Sequence, residues 1–289
     1  MFDIDDFNQD KMLRFKMSFN KGKTSISIIM ITLNEGHNLL DMINQLSNWA
    51  SEIFVLDSFS TDNTIEILER YNIVYKQRKF MNFGDQWNYA LKCFEIKSDF
   101  TMKLDPDERL TQELKDEITN SLHKKDFDGY SFDRVLFFMG KELPISQEVT
   151  RIWRTGNAKF TNVLVNETPI IEGTVYKLRS KLLHMDSPDL EHWYSKQNKY
   201  SSCEALAKFQ KKDLPFKPDF FGDNNNRKMW IKKNFSNVPF RFILLFLYYY
   251  ILKGLFLAGK EGFIWSHLRS EVMRMREYKY YELLKKRRK

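Results

Sequence analysis

Residues 25–46 read SISIIMITLNEGHNLLDMINQL, and the change of period inside that stretch decides the fold. Ser25 to Leu33 is a short, β-branched apolar run, the pattern of a strand buried on both faces. After the polar turn Asn34-Glu35-Gly36, Leu39, Leu40, Ile43 and Leu46 recur at helical spacing. The same exchange repeats downstream. Glu52 to Leu56 (EIFVL) is a second buried strand, and Asp62 or its neighbours cap a helix carrying Ile65 and Leu68. Ile73 to Tyr75 is a brief third strand, 84–95 a third helix, and Phe100 to Leu104 (FTMKL) a fourth strand. Strands and helices alternating over short joints predict βαβ units: an α/β fold whose mostly parallel sheet is flanked by helices, with a Rossmann-like nucleotide-binding character.

Beyond residue 128 the texture changes to short runs (GYSFD, VLFFM, EVTRIW, TVYKL) that predict strands of mixed direction. Residues 189–212 are expected to be helical, and 213–238, with Pro215, Pro218 and Asn224–Asn226, to be a polar connector. Helices near 239–258 and 262–286 complete the chain. The expected division is a polar leader over 1–22, a body over 23–212 (halves 23–127 and 128–212), and C-terminal amphipathic helices over 213–289.

With 43% hydrophobic and 29% charged residues in 289, the chain is a folded body with a sizeable core, not a disordered one. Its two cysteines, Cys93 and Cys203, lie far apart without CxxC spacing, which suits a reducing compartment and argues against a disulfide scaffold or a zinc site. Asp3, Asp5 and Asp6 stand where a secretory signal would need a basic start, so a cytoplasmic location is expected. Residues 227–289 hold 16 Lys and Arg against 4 Asp and Glu, whereas the whole chain has a net charge of only +8. A basic end on a mildly acidic body predicts one attachment surface, such as anionic lipid, and argues against nucleic acid as a partner.

The sharpest chemical signal is Asp105-Pro106-Asp107-Glu108, directly after the fourth strand. Ligands of open α/β sheets gather beyond the carboxyl ends of strands. Two carboxylates one residue apart in a proline-stiffened turn can grip one hard cation, Mg²⁺ or Mn²⁺, and leave positions for phosphate oxygens. Read blandly, the same residues are an acidic turn that starts the helix at 111–122. A second acidic turn, Asp57-Ser58-Phe59-Ser60-Thr61-Asp62, follows EIFVL. Asp57 suits a base edge or ribose hydroxyl, and Asp62 suits a helix cap. Neither GxGxxG nor GxxxxGK[ST] occurs, so a phosphate ligand needs another counter-charge, which a cation at Asp105 and Asp107 supplies.

Taken in order, TLNEGHNL, WASEIFVLDSFSTDNTIEIL, FGDQWNYAL and LDPDERL resemble the inverting family 2 glycosyltransferases of the GT-A fold. They are most similar to bacterial enzymes that build lipopolysaccharide core and other cell-surface glycans. The resemblance spans residues 25 to about 210. It implies that Thr32, Asn34, Glu35 and Asp57 surround the base and ribose of a nucleotide-sugar donor, most simply a UDP-sugar. It further implies that Gln86 and Asn88 face the diphosphate, with Asp105 also on the donor side, and that Asp105 and Asp107 hold the metal. His184, in KLLHMD, matches a family histidine that completes the metal shell or touches the diphosphate. Inverting transfer needs a general base for the acceptor hydroxyl; the segment Val165-Asn166-Glu167 matches the family's V-H-E element and makes Glu167 the candidate. The chain departs from the family at Phe59, usually glycine, at Trp87, usually arginine, and at Pro106, usually alanine. Arg134 and Arg151 are further candidates for offsetting phosphate charge.

Phe242 to Leu252 (FILLFLYYYIL), then Lys253, Gly254 and LFLA, make an apolar stretch short of the roughly 20 residues a spanning helix needs. Its tyrosines suit the headgroup level, and the terminal KKRRK adds charge, so a peripheral, monotopic association with the inner membrane face is expected. A glycan or glycolipid acceptor fits that placement. The alternatives are a sugar-phosphate nucleotidyltransferase, which would show a glycine-rich basic loop after the first strand, and a non-catalytic nucleotide-binding tether.

Overall fold

The computed structural model describes residues 19–124, 126–161, 167–210 and 218–287; most of the expected leader, and the Val165-Asn166 part of the V-N-E segment, lie outside them. The first half follows the predicted alternation. Strand β1 (Thr24–Thr32) leads to helix α1 (Gly36–Leu46), β2 (Ala50–Asp57) to α2 (Thr64–Arg70), β3 (Val74–Gln77) to α3 (Phe83–Cys93), and then come β4 (Phe100–Lys103), β5 (Glu108–Leu110) and α4 (Gln112–Lys124). On α1, Leu39, Met42, Ile43 and Leu46 are buried at helical spacing, whereas Leu40 faces solvent. Helix α3 starts where Asn82 accepts the Asp85 amide at 2.8 Å.

The second half contributes β6 (Gly129–Phe138), the long β7 (Lys141–Arg154), β8 (Ala158–Phe160), β9 (Pro169–Ile171), β10 (Val175–Lys177) and β11 (Leu182–Met185), then α5 (Leu190–Phe209). One nine-stranded sheet runs β3-β2-β1-β4-β7-β6-β11-β5, with β10 also on β6, and β8 and β9 form a separate hairpin. Strands β3, β2, β1 and β4 are mutually parallel. β7 is antiparallel to both β4 and β6, and β11 is parallel to β6. Two reversals restore direction, so β11 ends at the same edge of the sheet as β1, β2 and β4. The short β5, immediately after the Asp105–Glu108 turn, runs antiparallel to β11 and pairs Glu108 with His184.

Apolar side chains fill both faces of the sheet. Under α1, α2 and α4 lie Ile26, Ile28, Met30, Val55, Met102 and Leu182; Trp87 of α3 packs on Ile29, Phe54, Leu56, Trp153 and Phe160. Burying a side chain of the Leu or Phe class contributes about 1.5–3 kcal/mol. The predicted helix over 239–258 is broken into α7 (Arg241–Leu247), a π turn (Tyr248–Leu252) and a 3₁₀ turn (Leu255–Ala258), because Gly254 adopts φ +73° and Gly259 φ +68°. α6 (Asn224–Asn234) precedes them and α8 (Lys260–Arg287) follows. Trp265, Leu268 and Val272 of α8 share a core with Trp193 of α5 and with Leu136, Phe138 and Leu143, so this end packs on the sheet. No helix among the described residues is long and apolar enough to cross a membrane.

Candidate active site

The Asp105–Glu108 turn is built by reciprocal bonding. The Glu108 amide donates to the Asp105 carbonyl at 2.9 Å, and the Asp105 amide donates to Glu108 Oε2 at 3.0 Å. Proline at the second position fixes φ as a tight turn requires. Glu108 is fully buried and also receives Arg134 and Arg151, and Arg109 donates to the Pro106 carbonyl and to Asn38 of α1. Thus Arg134 and Arg151, expected to be available to phosphate, are occupied within the turn.

This packing divides the expected metal pair. Asp105 faces β7 and its own strand: its Oδ2 meets Arg151 at 3.0 Å, and its Oδ1 lies 3.9 Å from Lys103. Burial works to raise its pKa, but Lys103 and Arg151 outweigh it and hold the carboxyl below the usual range. Asp107 turns the other way, toward β11 and α5. Its Oδ2 lies 3.3 Å from His184 Nε2 and 2.9 Å from Lys196 Nζ. Here too burial opposes ionisation, and His184 and Lys196 overcome it and keep Asp107 well below the carboxylate range. Pairing of β5 with β11 forces this arrangement, and the Met185 amide donates to the Asp107 carbonyl at 2.7 Å.

Two of the expected ligands, Asp107 and His184, meet a third group that the sequence reading did not name. Ligand atoms of Asp107, His184 and Asp186 all lie within 4.8 Å of one another. Asp186 Oδ2 is buried and has no hydrogen-bond partner, an acceptor that a cation would satisfy. Two carboxylates and an imidazole suit Mn²⁺ or Mg²⁺, so the residues fit the ion. Asp105, the other half of the sequence pair, is outside this group.

At the ends of β1 and β2 the side chains hold each other. Asp57 is fully buried; it accepts from Thr32 Oγ1 at 2.9 Å, from the Ser60 amide at 2.9 Å and from Gln77 Nε2 at 3.0 Å. Thr32 and Asp57 thus brace the loops that follow β1 and β2 from beneath. Asn34, at φ +59°, accepts the Thr61 amide at 2.8 Å and ties the two loops together. Phe59, the departure from the family glycine, sits at φ +63° with 54% of its surface exposed, which shows why glycine is usual there. Asp62 accepts the amides of Gly36 and Thr64, the first residues of α1 and α2, while the N-cap position of α2 itself falls at Asn63. Glu35 lies toward the acidic turn. Burial raises its pKa to about 7, reinforced by Asp107 and Asp105 and opposed by Asn38 and Lys196.

Gln86 is buried, receives Arg78 and donates to Ser58; Asn88 exchanges hydrogen bonds with the Phe160 backbone at 2.8 and 2.9 Å and so fixes the β8–β9 hairpin to α3. Glu167, carried by that hairpin, meets Lys103 Nζ at 2.8 Å. Lys103 is itself nearly buried and lies 4.4 Å from the Trp87 ring centroid, so the tryptophan that replaces arginine supports a cation instead of supplying one.

Sequence reasoning missed four residues here: Lys103, Asp186, Lys196 and Tyr200. Asp186 stands two residues after His184 in KLLHMD and was legible by that spacing. Lys196 and Tyr200 lie one turn apart on α5. Tyr200 stacks on Phe83 with 5.8 Å between centroids, and burial raises its pKa.

Comparison with known proteins matches residues 27–184 to the model of Glycosyl transferase family 2. An uncharacterized glycosyltransferase of Rickettsia prowazekii (strain Madrid E) is 26% identical over 255 residues, 83% of this chain and 80% of the relative. The lipopolysaccharide core biosynthesis glycosyltransferase LpsC of Rhizobium meliloti (strain 1021) is 26% identical over 254 residues, 84% of this chain and 86% of LpsC. Among solved structures, S. aureus TarS in complex with UDP-GlcNAc aligns with a TM-score of 0.47 and 16% identity, covering 85% of this chain and 90% of that one.

Proposed function

We propose, because the chain belongs to glycosyl transferase family 2, that it transfers one sugar, with inversion, from a UDP-sugar to a hydroxyl of a lipopolysaccharide-type or lipid-linked glycan. Its mixed sheet flanked by helices is the GT-A architecture, and family membership supports nucleotide-sugar transfer over nucleotidyl transfer. The observation that carries the reading is the meeting of Asp107, His184 and Asp186 at the sheet edge where β1, β2 and β4 end. Likeness to LpsC supports the lipopolysaccharide-type acceptor.

In this reading Asp107, His184 and Asp186 hold Mn²⁺ or Mg²⁺, with Asp105 beside them. A divalent cation bound there offsets the negative charge of the departing nucleotide diphosphate. Asn34, Phe59 and Glu35 border the donor cleft from the loops after β1 and β2, which Thr32 and Asp57 brace from beneath. Glu167 takes the proton of the acceptor hydroxyl, and Lys103 beneath it sets where its carboxylate stands. Gln86 and Asn88 act by holding α3 against the neighbouring loop and hairpin.

The apolar surface of residues 240–257 lies on an anionic membrane. Phe240, Ile243, Ile251, Leu252 and Leu257 are exposed along it, with Lys253 and Lys260 beside them. A membrane-bound position brings the enzyme to a lipid-linked acceptor.

The test is a panel of nucleotide sugars with Mn²⁺ or Mg²⁺, read as thermal stabilisation and as release of nucleoside diphosphate. At least one UDP-sugar is expected to stabilise the protein and turn over with a glycan acceptor. No response to any member of the panel contradicts the reading.

A further inference from the structure

Lys196 comes from α5, 89 residues beyond Asp107, and its ammonium ends between the two carboxylates of the cation cluster. It lies 2.9 Å from Asp107 Oδ2, 3.3 Å from Asp186 Oδ1 and 3.0 Å from the Asp186 carbonyl. Asp107 Oδ2 is also the oxygen that His184 Nε2 approaches at 3.3 Å. The nitrogen of Lys196 thus sits where the prospective ligands converge. A divalent cation binds carboxylate oxygen at roughly 2.0–2.2 Å, and an ammonium hydrogen-bonded to the same oxygen obstructs that position by charge and by volume.

We propose that Lys196 is a built-in competitor for the cation: it neutralises Asp107 and Asp186 in the metal-free protein, and its ammonium must leave them when the divalent ion is taken up. This rests on the reading of Asp107, His184 and Asp186 as a cation site. The arrangement serves two ends. Without metal, two buried carboxylates would repel each other, and the lysine holds them in place at the distance a cation needs. With metal alone, displacing the lysine opposes uptake, so the ion is retained well only when a nucleoside diphosphate adds its own negative charge. Cation and donor are thereby coupled, and linkage makes the coupling reciprocal.

The experiment titrates the full-length chain with Mn²⁺ alone and with Mn²⁺ plus UDP, following free Mn²⁺ by electron paramagnetic resonance. Lys196→Met is expected to bind Mn²⁺ alone about tenfold tighter than the wild type or better, with a smaller gain on adding UDP. Lys196→Arg, which keeps the charge, is expected to stay near the wild type. In the unsubstituted protein, labelling of the Lys196 amine by an acylating reagent, read by mass spectrometry, is expected to rise when Mn²⁺ and UDP are added. That measurement does not depend on any variant folding. Equal or weaker Mn²⁺ binding by Lys196→Met, or labelling that does not change, overturns the role of the lysine while leaving the cation site standing. Absence of Mn²⁺ uptake by both proteins, with UDP present, overturns the lysine's role and the cation reading together.

Discussion

Replacing Lys103 by methionine removes the positive charge between Glu167 and Asp105 while keeping a side chain of similar length against Trp87. The Lys103–Glu167 pair is separated by 2.8 Å, and the two side chains retain 6% and 11% of their accessible surface. Taking one partner from a buried pair costs roughly 3–5 kcal/mol, because the other is left charged and dry. Asp105 keeps Arg151 at 3.0 Å and Glu167 keeps only the more distant charge of that arginine, so the lower end, about 3 kcal/mol, is expected. Urea unfolding should show this as a lowered midpoint with an unchanged slope. Glu167→Gln in the same background closes a double-mutant cycle, and the two changes should interact by about 1–3 kcal/mol. A Lys103→Met protein within about 1 kcal/mol of the wild type, or single effects that add within about 0.5 kcal/mol, would refute the claim that Lys103 positions Glu167.

Glu35, raised from 4.5 to about 7 chiefly by burial, should make stability fall as pH rises from 4.5 toward 7, because the unfolded carboxyl ionises there while the folded one resists. The loss amounts to about 3 kcal/mol, and Glu35→Gln should flatten that limb of the pH–stability curve; an unaltered limb counts against it. Phe59→Gly removes an exposed ring from a residue at φ +63° and should raise stability by up to about 1 kcal/mol in urea unfolding. A loss of stability instead would mean that the ring packs usefully. Leu252→Asp with Leu257→Asp, both on exposed positions, should leave unfolding unchanged yet abolish co-sedimentation with anionic vesicles. Undiminished co-sedimentation would remove the membrane assignment.

The α/β half was legible because each element announces itself locally: SISIIMITL and EIFVL are continuous apolar runs, and α1 has its buried residues at helical spacing. The stretch 239–258 was less so, since its apolar composition is helical but Gly254 and Gly259 take left-handed φ values. In the site, the turn Asp105–Glu108 was visible as a motif, and His184 as a match to the family. How Asp105 and Asp107 part company was not visible, since it depends on Arg151 from β7 and Lys196 from α5, residues 46 and 89 positions away. Lys103 read as an ordinary strand residue in FTMKL; only the fold brings Trp87 and Glu167 to it. Asp57 stood out at a strand end, but its hydrogen bonds to Thr32, Ser60 and Gln77 are brought together only by the fold.

In the proposed reaction Asp107, with His184 and Asp186, holds a cation that binds the donor's diphosphate. Calorimetric titration of UDP with and without Mn²⁺, on the wild type and on Asp107→Asn, tests it most directly. UDP binding is expected to depend on Mn²⁺ and to weaken at least about tenfold in Asp107→Asn, equivalent to about 1.4 kcal/mol. UDP binding that ignores Mn²⁺, or a Mn²⁺-dependent affinity that Asp107→Asn leaves intact, would contradict it.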